Sequence, residues 1–179
     1  MIDHNIGFIG LGNVGSKLAS NILQAGYNLF IYDINKNTSN ELVNKGAIWK
    51  NSVKDIIDNT SLIITCLPSP QAVTEVVESK SGMIEYINNK HLWIEMSTTD
   101  EKEMIRLSRL ILTKGAEVLE APVTGGQHRA ESLRFYIKKK PKYKDIKIPV
   151  MVHLVDNLNE ARLIQYNLLL HGLRFNIII

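Results

Sequence analysis

Ile6-Gly7-Phe8-Ile9-Gly10-Leu11-Gly12-Asn13-Val14-Gly15 decides the fold of this chain. A short apolar run leads into three glycines spaced Gly-x-Gly-x-x-Gly. A helix-like stretch follows as far as Gly26, and a second apolar run, Leu29-Phe30-Ile31-Tyr32, ends on Asp33. Strand, glycine turn, helix, strand and acidic residue, in that order, make a unit suited to a dinucleotide. The first glycine permits the tight turn, the second lets the backbone approach a pyrophosphate, and the third lets helix and strand pack closely. The pyrophosphate would rest on the helix N-terminus, where N–H groups without helical partners attract negative charge. Glycine turns also serve as plain connectors, but the flanking elements and Asp33, 18 residues beyond Gly15, favour the nucleotide. Gly10, Leu11, Gly12, Asn13, Val14 and Gly15 are therefore the expected cofactor loop.

Asp33 bears on which dinucleotide. A carboxylate at the end of the second strand accepts hydrogen bonds from ribose hydroxyls and repels a 2′-phosphate. Ile34-Asn35-Lys36 offers no arginine to fork around such a phosphate, although Lys36 offers a charge. NAD is expected over NADP. The plainer role for Asp33 is a helix or turn cap.

Beyond this unit, strand and helix alternate with short links, the pattern of a parallel sheet covered on both faces. Helices are expected over residues 38–45, 53–58 with Ser52 as cap, 71–78, and 101–113 with Asp100 as cap and Gly115 as terminator. Strands are expected over 47–49, 61–67, 91–97 and 117–123, with a turn and short helix in 81–89. The run Ser61-Leu62-Ile63-Ile64-Thr65-Cys66-Leu67 reads as a central strand buried on both faces. The fold class is α/β, a doubly wound, mainly parallel sheet of the Rossmann type.

Composition narrows the class further. A chain of 179 residues builds one domain with a sizeable core, or one domain and part of a second. One cysteine, Cys66, excludes a disulfide framework and suits a reducing cytosol. No run of about 18 apolar residues exists to make a transmembrane helix. Met1-Ile2-Asp3-His4-Asn5 has neither a basic nor an apolar leader, so a cytoplasmic protein without a secretory signal is expected.

The texture changes near Ser132. Residues 1–132 carry 12 Lys/Arg and 15 Asp/Glu, whereas residues 133–179 carry 9 and 3. Ten of the 11 glycines lie at or before Gly126. The segment 138–144 is a basic run without periodicity, and 157–170 could form an amphipathic helix. Basic tails often mark nucleic-acid or membrane contact. Here the abrupt change argues instead for a nucleotide-binding domain over 1–132 and a divergent tail over 133–179, either the product of a frameshift in an AT-rich gene near codon 132 or a genuine divergent segment. No nucleic-acid or membrane partner is expected.

Four motifs together resemble the β-hydroxyacid dehydrogenases, the family that includes 3-hydroxyisobutyrate dehydrogenase and tartronate semialdehyde reductase. They are Gly7-Phe8-Ile9-Gly10-Leu11-Gly12-Asn13-Val14-Gly15, Cys66-Leu67-Pro68, Glu95-Met96-Ser97-Thr98 and Ala121-Pro122-Val123-Thr124-Gly125-Gly126. The resemblance covers roughly residues 5–132 and implies hydride transfer between NAD and a small 3-hydroxy acid. It implies that Leu67 and Pro68 contact the ribose and nicotinamide side of the cofactor, and that Thr98 bonds the nicotinamide ribose. Ser97, Thr124 and the N–H groups of Gly125 and Gly126 are suitable donors for a substrate carboxylate. The plainer roles are a helix-start cap for Thr98 and a simple turn for the glycine pair.

Departures from the family are informative. Glu95 and Glu120 stand where the family commonly has Asp, and a proline near Glu101 is absent. The family's acid–base lysine, in a Gly-x-x-x-Gly-x-x-x-Lys-x-x-x-Asn pattern, has no counterpart here, so no catalytic residue is assigned. The all-helical second domain that closes the site and forms homo-oligomers in the family is likewise absent. The alternative function is an NAD-binding module without turnover. A 6-phosphogluconate-type or imine-reducing relative would need a basic phosphate anchor or a different acid–base residue, and neither is evident. The five histidines lack metal-ligand spacing, so no metal is expected. His91 reads as a partly exposed surface residue, and Cys66 as an inert core residue.

Overall fold

The computed structural model describes residues 5–122, together with the backbone of Ile137–Lys138 and Arg174–Phe175, which pair as a short antiparallel ladder. Expectations for the rest, including the helix over 157–170, lie outside the described residues.

In chain order the elements are β1 (Asn5–Ile9), α1 (Gly15–Gln24), β2 (Asn28–Tyr32), α2 (Asn40–Asn44), β3 (Ile48–Trp49), α3 (Val53–Asn59), β4 (Leu62–Thr65), α4 (Pro70–Glu78), β5 (Leu92–Glu95), α5 (Glu101–Thr113) and β6 (Glu117–Glu120). Short 3-10 turns occupy Lys36–Ser39 and Met83–Glu85. The six strands form one sheet in the order β3-β2-β1-β4-β5-β6, all parallel. Chain order reverses between β1 and β4, and this crevice at the carboxyl ends of the strands is where such sheets bind ligands.

Period-two alternation divides the strands between two cores. Leu62 and Ile64 of β4 join Ile6, Phe8, Leu29, Ile31 and Ile94 under α1. Ile63 faces the opposite way, with Ile9, Phe30 and Trp93, under α3, α4 and α5. The helices answer with apolar stripes. Leu18, Ala19 and Ile22 are buried on α1, and Met104, Leu107 and Ile111 on α5, the spacing of one helical face. Burial on both faces explains why β4 reads as an unbroken apolar run.

Caps set several boundaries. Ser52 Oγ accepts the Asp55 N–H at 3.0 Å, and Asp100 Oδ1 accepts the Glu103 N–H at 3.1 Å. Ser69 caps α4 by accepting the Ala72 N–H at 3.2 Å, so the helix starts at Pro70, one residue before expectation. The expected helix at 38–45 divides into a 3-10 turn and α2, because Asn35 Oδ1 accepts the Asn37 N–H and starts helical winding early. The strands of 61–67, 91–97 and 117–123 are shorter than expected. The strands end at Thr65, Glu95 and Glu120.

His91 corrects its expected place on the surface: it is only 6% exposed. Its Nδ1 accepts the Asn88 N–H at 3.0 Å and its Nε2 donates to the Ile57 carbonyl at 3.2 Å. The ring thus fills the gap between the end of α3 and the turn before β5, with both nitrogens satisfied.

Candidate cofactor site

The glycine loop joins β1 to α1, and its three glycines meet different surroundings. Gly10 has φ of 97°, and a Cβ there would lie 2.3 Å from the Cys66 carbonyl oxygen. A Cβ on Gly15 would lie 2.0 Å from the Gly10 carbonyl oxygen, so the start of α1 packs directly on the turn. Gly12 differs: a Cβ there would meet no atom within 4 Å. The chain's own packing does not demand glycine at 12. An approaching ligand would.

The donors around Gly12 agree. Among the described residues, the N–H groups of Gly12, Asn13 and Val14 have no protein partner. The N-terminus of α1 has no side-chain cap and no acidic residue in its first turn. The first turn of a helix presents unpaired N–H groups and a partial positive charge. Together these residues make a cradle that fits a pyrophosphate.

Asp33 follows β2, directly beside this loop. Its Oδ2 accepts the Leu11 N–H at 2.6 Å and its Oδ1 accepts the Asn35 N–H at 2.8 Å. The carboxylate therefore caps its own turn and also braces the glycine loop. Each oxygen keeps a further lone pair for a ribose hydroxyl. Lys36, the one cation close by in sequence, holds its Nζ 5.9 Å over the Trp49 ring, an attraction between ammonium and aromatic face.

Beyond β4 and β5 the structure brings Leu67, Pro68, Ser97 and Thr98 to the same rim. Pro68 and Thr98 are exposed, and Leu67 packs partly on the core below. The cap of α5 is Asp100, and the Thr98 hydroxyl has no partner among the described residues. Ser97 is turned inward, at 3% exposure. Its Oγ accepts the Leu67 N–H at 2.7 Å, so in this arrangement it ties the two turns together instead of facing a substrate carboxylate.

Beneath this rim lies a group that sequence reasoning noted only as a substitution for Asp. Glu95 is fully buried on β5. It accepts hydrogen bonds from the Thr65 hydroxyl and the Ser97 N–H, while Trp93 Nε1 donates to Thr65 Oγ1 at 2.7 Å. Burial pushes its carboxyl up to about 7 against the lowering effect of the Ser97 and Thr65 bonds, and Glu120 on the next strand adds to the rise. The signal in the sequence was a lone carboxylate closing an apolar run, Leu92-Trp93-Ile94-Glu95. Cys66 is half-buried, and desolvation pushes its thiol up to about 12, which leaves it unreactive.

Thr124, Gly125 and Gly126 lie outside the described residues. Among the described residues, no group of His, Cys, Asp or Glu is placed to hold a metal ion. No helix among them is long and apolar enough to cross a membrane.

Comparison with known proteins agrees with this geometry. Residues 5–137 match the family described as the NAD binding domain of 6-phosphogluconate dehydrogenase. An uncharacterised oxidoreductase, YkwC of Bacillus subtilis (strain 168), is 35% identical over 127 residues, covering 71% of this chain and 44% of the relative. The mitochondrial 3-hydroxyisobutyrate dehydrogenase of Drosophila melanogaster is also 35% identical over 127 residues, covering 71% of this chain and 39% of the enzyme. The structure of Psf3 in complex with NADP+ and 2-OPP shares the fold, with a TM-score of 0.68 at 21% identity over 71% of this chain and 45% of that one. The chain thus spans less than half the length of these relatives. With the glycine cradle at the switch point of a six-stranded parallel sheet and the match running through nearly all described residues, the chain belongs to the family of the NAD-binding domain of 6-phosphogluconate dehydrogenase.

Proposed function

We propose that this chain holds the nicotinamide dinucleotide of an oxidoreductase that moves a hydride between NAD and a small 3-hydroxy acid, of the 3-hydroxyisobutyrate or tartronate semialdehyde class. The observation that carries the reading is the open glycine cradle: Gly12 meets no neighbour, and three N–H groups point from an uncapped helix end. Gly10, Leu11, Gly12, Asn13, Val14 and Gly15 hold the pyrophosphate. Asp33 accepts the adenosine ribose hydroxyls and opposes a 2′-phosphate, which supports NAD. The Psf3 structure was solved with NADP+, so the two cofactors must be tested side by side.

Leu67 and Pro68 flank the nicotinamide half, and the free Thr98 hydroxyl bonds its ribose. The bound cofactor supplies or accepts the hydride. Thr124, Gly125 and Gly126 provide a hydroxyl and backbone amides for the substrate carboxylate, as the resemblance implies. The substrate class rests on resemblance to the Drosophila enzyme and on the four motifs. The single cysteine supports a reducing compartment, and we place the chain in the cytoplasm.

A second reading, an NAD-binding module without turnover, is favoured by one observation. Residues 1–179 contain no Gly-x-x-x-Gly-x-x-x-Lys pattern after the cofactor loop. Calorimetric titration of the full chain with NAD and NADP, followed by turnover assays with 3-hydroxyisobutyrate, tests both. Saturable NAD binding with measurable turnover supports the oxidoreductase. Binding without turnover supports the module, and no binding of either cofactor by a folded chain overturns both.

A further inference from the structure

We propose that Glu95 is a positioning residue of the cofactor site, its buried carboxylate locking the turn after β5 through Ser97 and, through the Ser97 hydroxyl, the turn after β4 at Leu67. The inference rests on the reading above, in which those two turns flank the nicotinamide half of the cofactor.

The geometry is a relay of five residues. Trp93 Nε1 donates to Thr65 Oγ1 at 2.7 Å, and the Thr65 hydroxyl donates to one oxygen of Glu95. The other oxygen accepts the N–H of Ser97, and Ser97 Oγ accepts the N–H of Leu67 at 2.7 Å. Trp93, Thr65 and Glu95 are fully buried and Ser97 nearly so, hence water cannot substitute for a lost partner. Thr65 and Glu95 are register partners on adjacent parallel strands, and the Met96 N–H also bonds the Thr65 carbonyl at 2.9 Å. The two strands are therefore already fixed. What the carboxylate adds is control of the residues just past them, where the ladder has ended.

Chemistry explains why a carboxylate sits at so costly a depth. An apolar side chain of similar volume would pack on β5 without the desolvation that a carboxylate meets there. Such a residue would leave the Ser97 N–H with no acceptor. Glu95 thus contributes order to the rim more than stability to the sheet. The groups around it are Thr65 of β4, Cys66 just past that strand, Trp93 and Ser97 of its own segment, and Glu120 opposite it on β6. None of them offers a cation, so among the described residues it is hydrogen bonds that hold this group.

The test compares two ligands on the full chain: NADH, which carries nicotinamide, and ADP-ribose, which lacks it. Glu95→Met removes both acceptors while filling the space. The expected result is NADH affinity lowered about ten-fold, the size of effect given by one buried hydrogen bond. ADP-ribose affinity should stay within about two-fold. Glu95→Gln, whose amide oxygen can still accept from Ser97, should restore most of the NADH affinity. Ser97→Ala, which removes the hydroxyl's links to Leu67 and to the Glu95 carboxyl while keeping the Ser97 N–H, should show the same ligand split, and it decides the matter if Glu95→Met does not fold.

Equal losses for both ligands, or unchanged NADH affinity, would overturn the positioning role while leaving the cofactor site intact. A folded wild-type chain that binds neither ligand would overturn the site itself, and the positioning role with it.

Discussion

Leu11 donates its backbone N–H to Asp33 Oδ2 at 2.6 Å, joining the turn after β1 to the turn after β2. One carboxylate therefore braces the glycine loop, and on our proposal it also accepts the ribose of the dinucleotide. A short bond to a charged acceptor is stronger than a neutral one, and it holds the Leu11 peptide before any ligand arrives.

Removing that brace should weaken binding of both dinucleotides, and NAD more than NADP. Asp33→Ala is expected to lower NAD affinity about ten- to hundred-fold, the range for a lost charge-assisted bond. The loss for NADP should be smaller, because the repulsion of a 2′-phosphate goes with the carboxylate. Paired titrations measure both, and an unchanged NAD affinity would show that Asp33 serves only the fold.

Gly12 and Gly10 should respond in opposite ways to the same change. Gly12→Ala meets open space, so its thermal midpoint should match wild type while dinucleotide affinity falls by at least about ten-fold, since the methyl occupies the approach to the cradle. Gly10→Ala puts a methyl 2.3 Å from the Cys66 carbonyl oxygen at a φ of 97°, and should lower stability by upwards of about 2 kcal/mol. Chemical denaturation and titration of the two variants separate folding from binding. Equal stability losses would contradict the assignment of Gly12 to the ligand.

The buried carboxyl of Glu95 predicts a pH dependence of stability. Its folded value is raised from 4.5 to about 7, with desolvation the main cause. Between those values the unfolded chain has lost the proton and the folded chain still holds it. Stability contributed by this group therefore falls as pH rises through that window, by about 3 kcal/mol in total. Glu95→Gln lacks the effect. The stability of wild type relative to Glu95→Gln should thus be greater at pH 5 than at pH 8, and Glu120, present in both, cancels in the comparison. Denaturation at the two pH values yielding the same difference would refute it.

The change of texture near Ser132 predicts something about the gene. We propose that 133–179 is read out of frame, in which case another frame downstream of codon 132 encodes the Gly-x-x-x-Gly-x-x-x-Lys helix. Sequencing that region on independent clones decides the point. If no frame encodes the pattern, the tail belongs to the protein as written.

Much of this molecule was legible as a string of residues. Periodicity revealed which runs were strands and which were amphipathic helices. The glycine spacing marked the turn between β1 and α1, with Asp33 just past β2, and Asp100 and Gly115 marked both ends of α5. These features are local: a turn, a cap or a buried face is settled by side chains a few positions apart. Strand lengths were overestimated because apolarity does not tell a residue in the ladder from one in the turn just beyond it. His91 was misplaced for a related reason, since its partners, Asn88 and the Ile57 carbonyl, combine a nearby turn with a distant helix end. Tertiary structure alone decided that Gly12 faces open space while Gly10 and Gly15 are enclosed, and that Ser97 turns inward to Leu67. It alone brought Thr65, Trp93 and Glu95 together under the rim, 28 to 30 residues apart in sequence. Such relations depend on which strands become neighbours, and that follows from the packing of the whole sheet, not from any single stretch of chain.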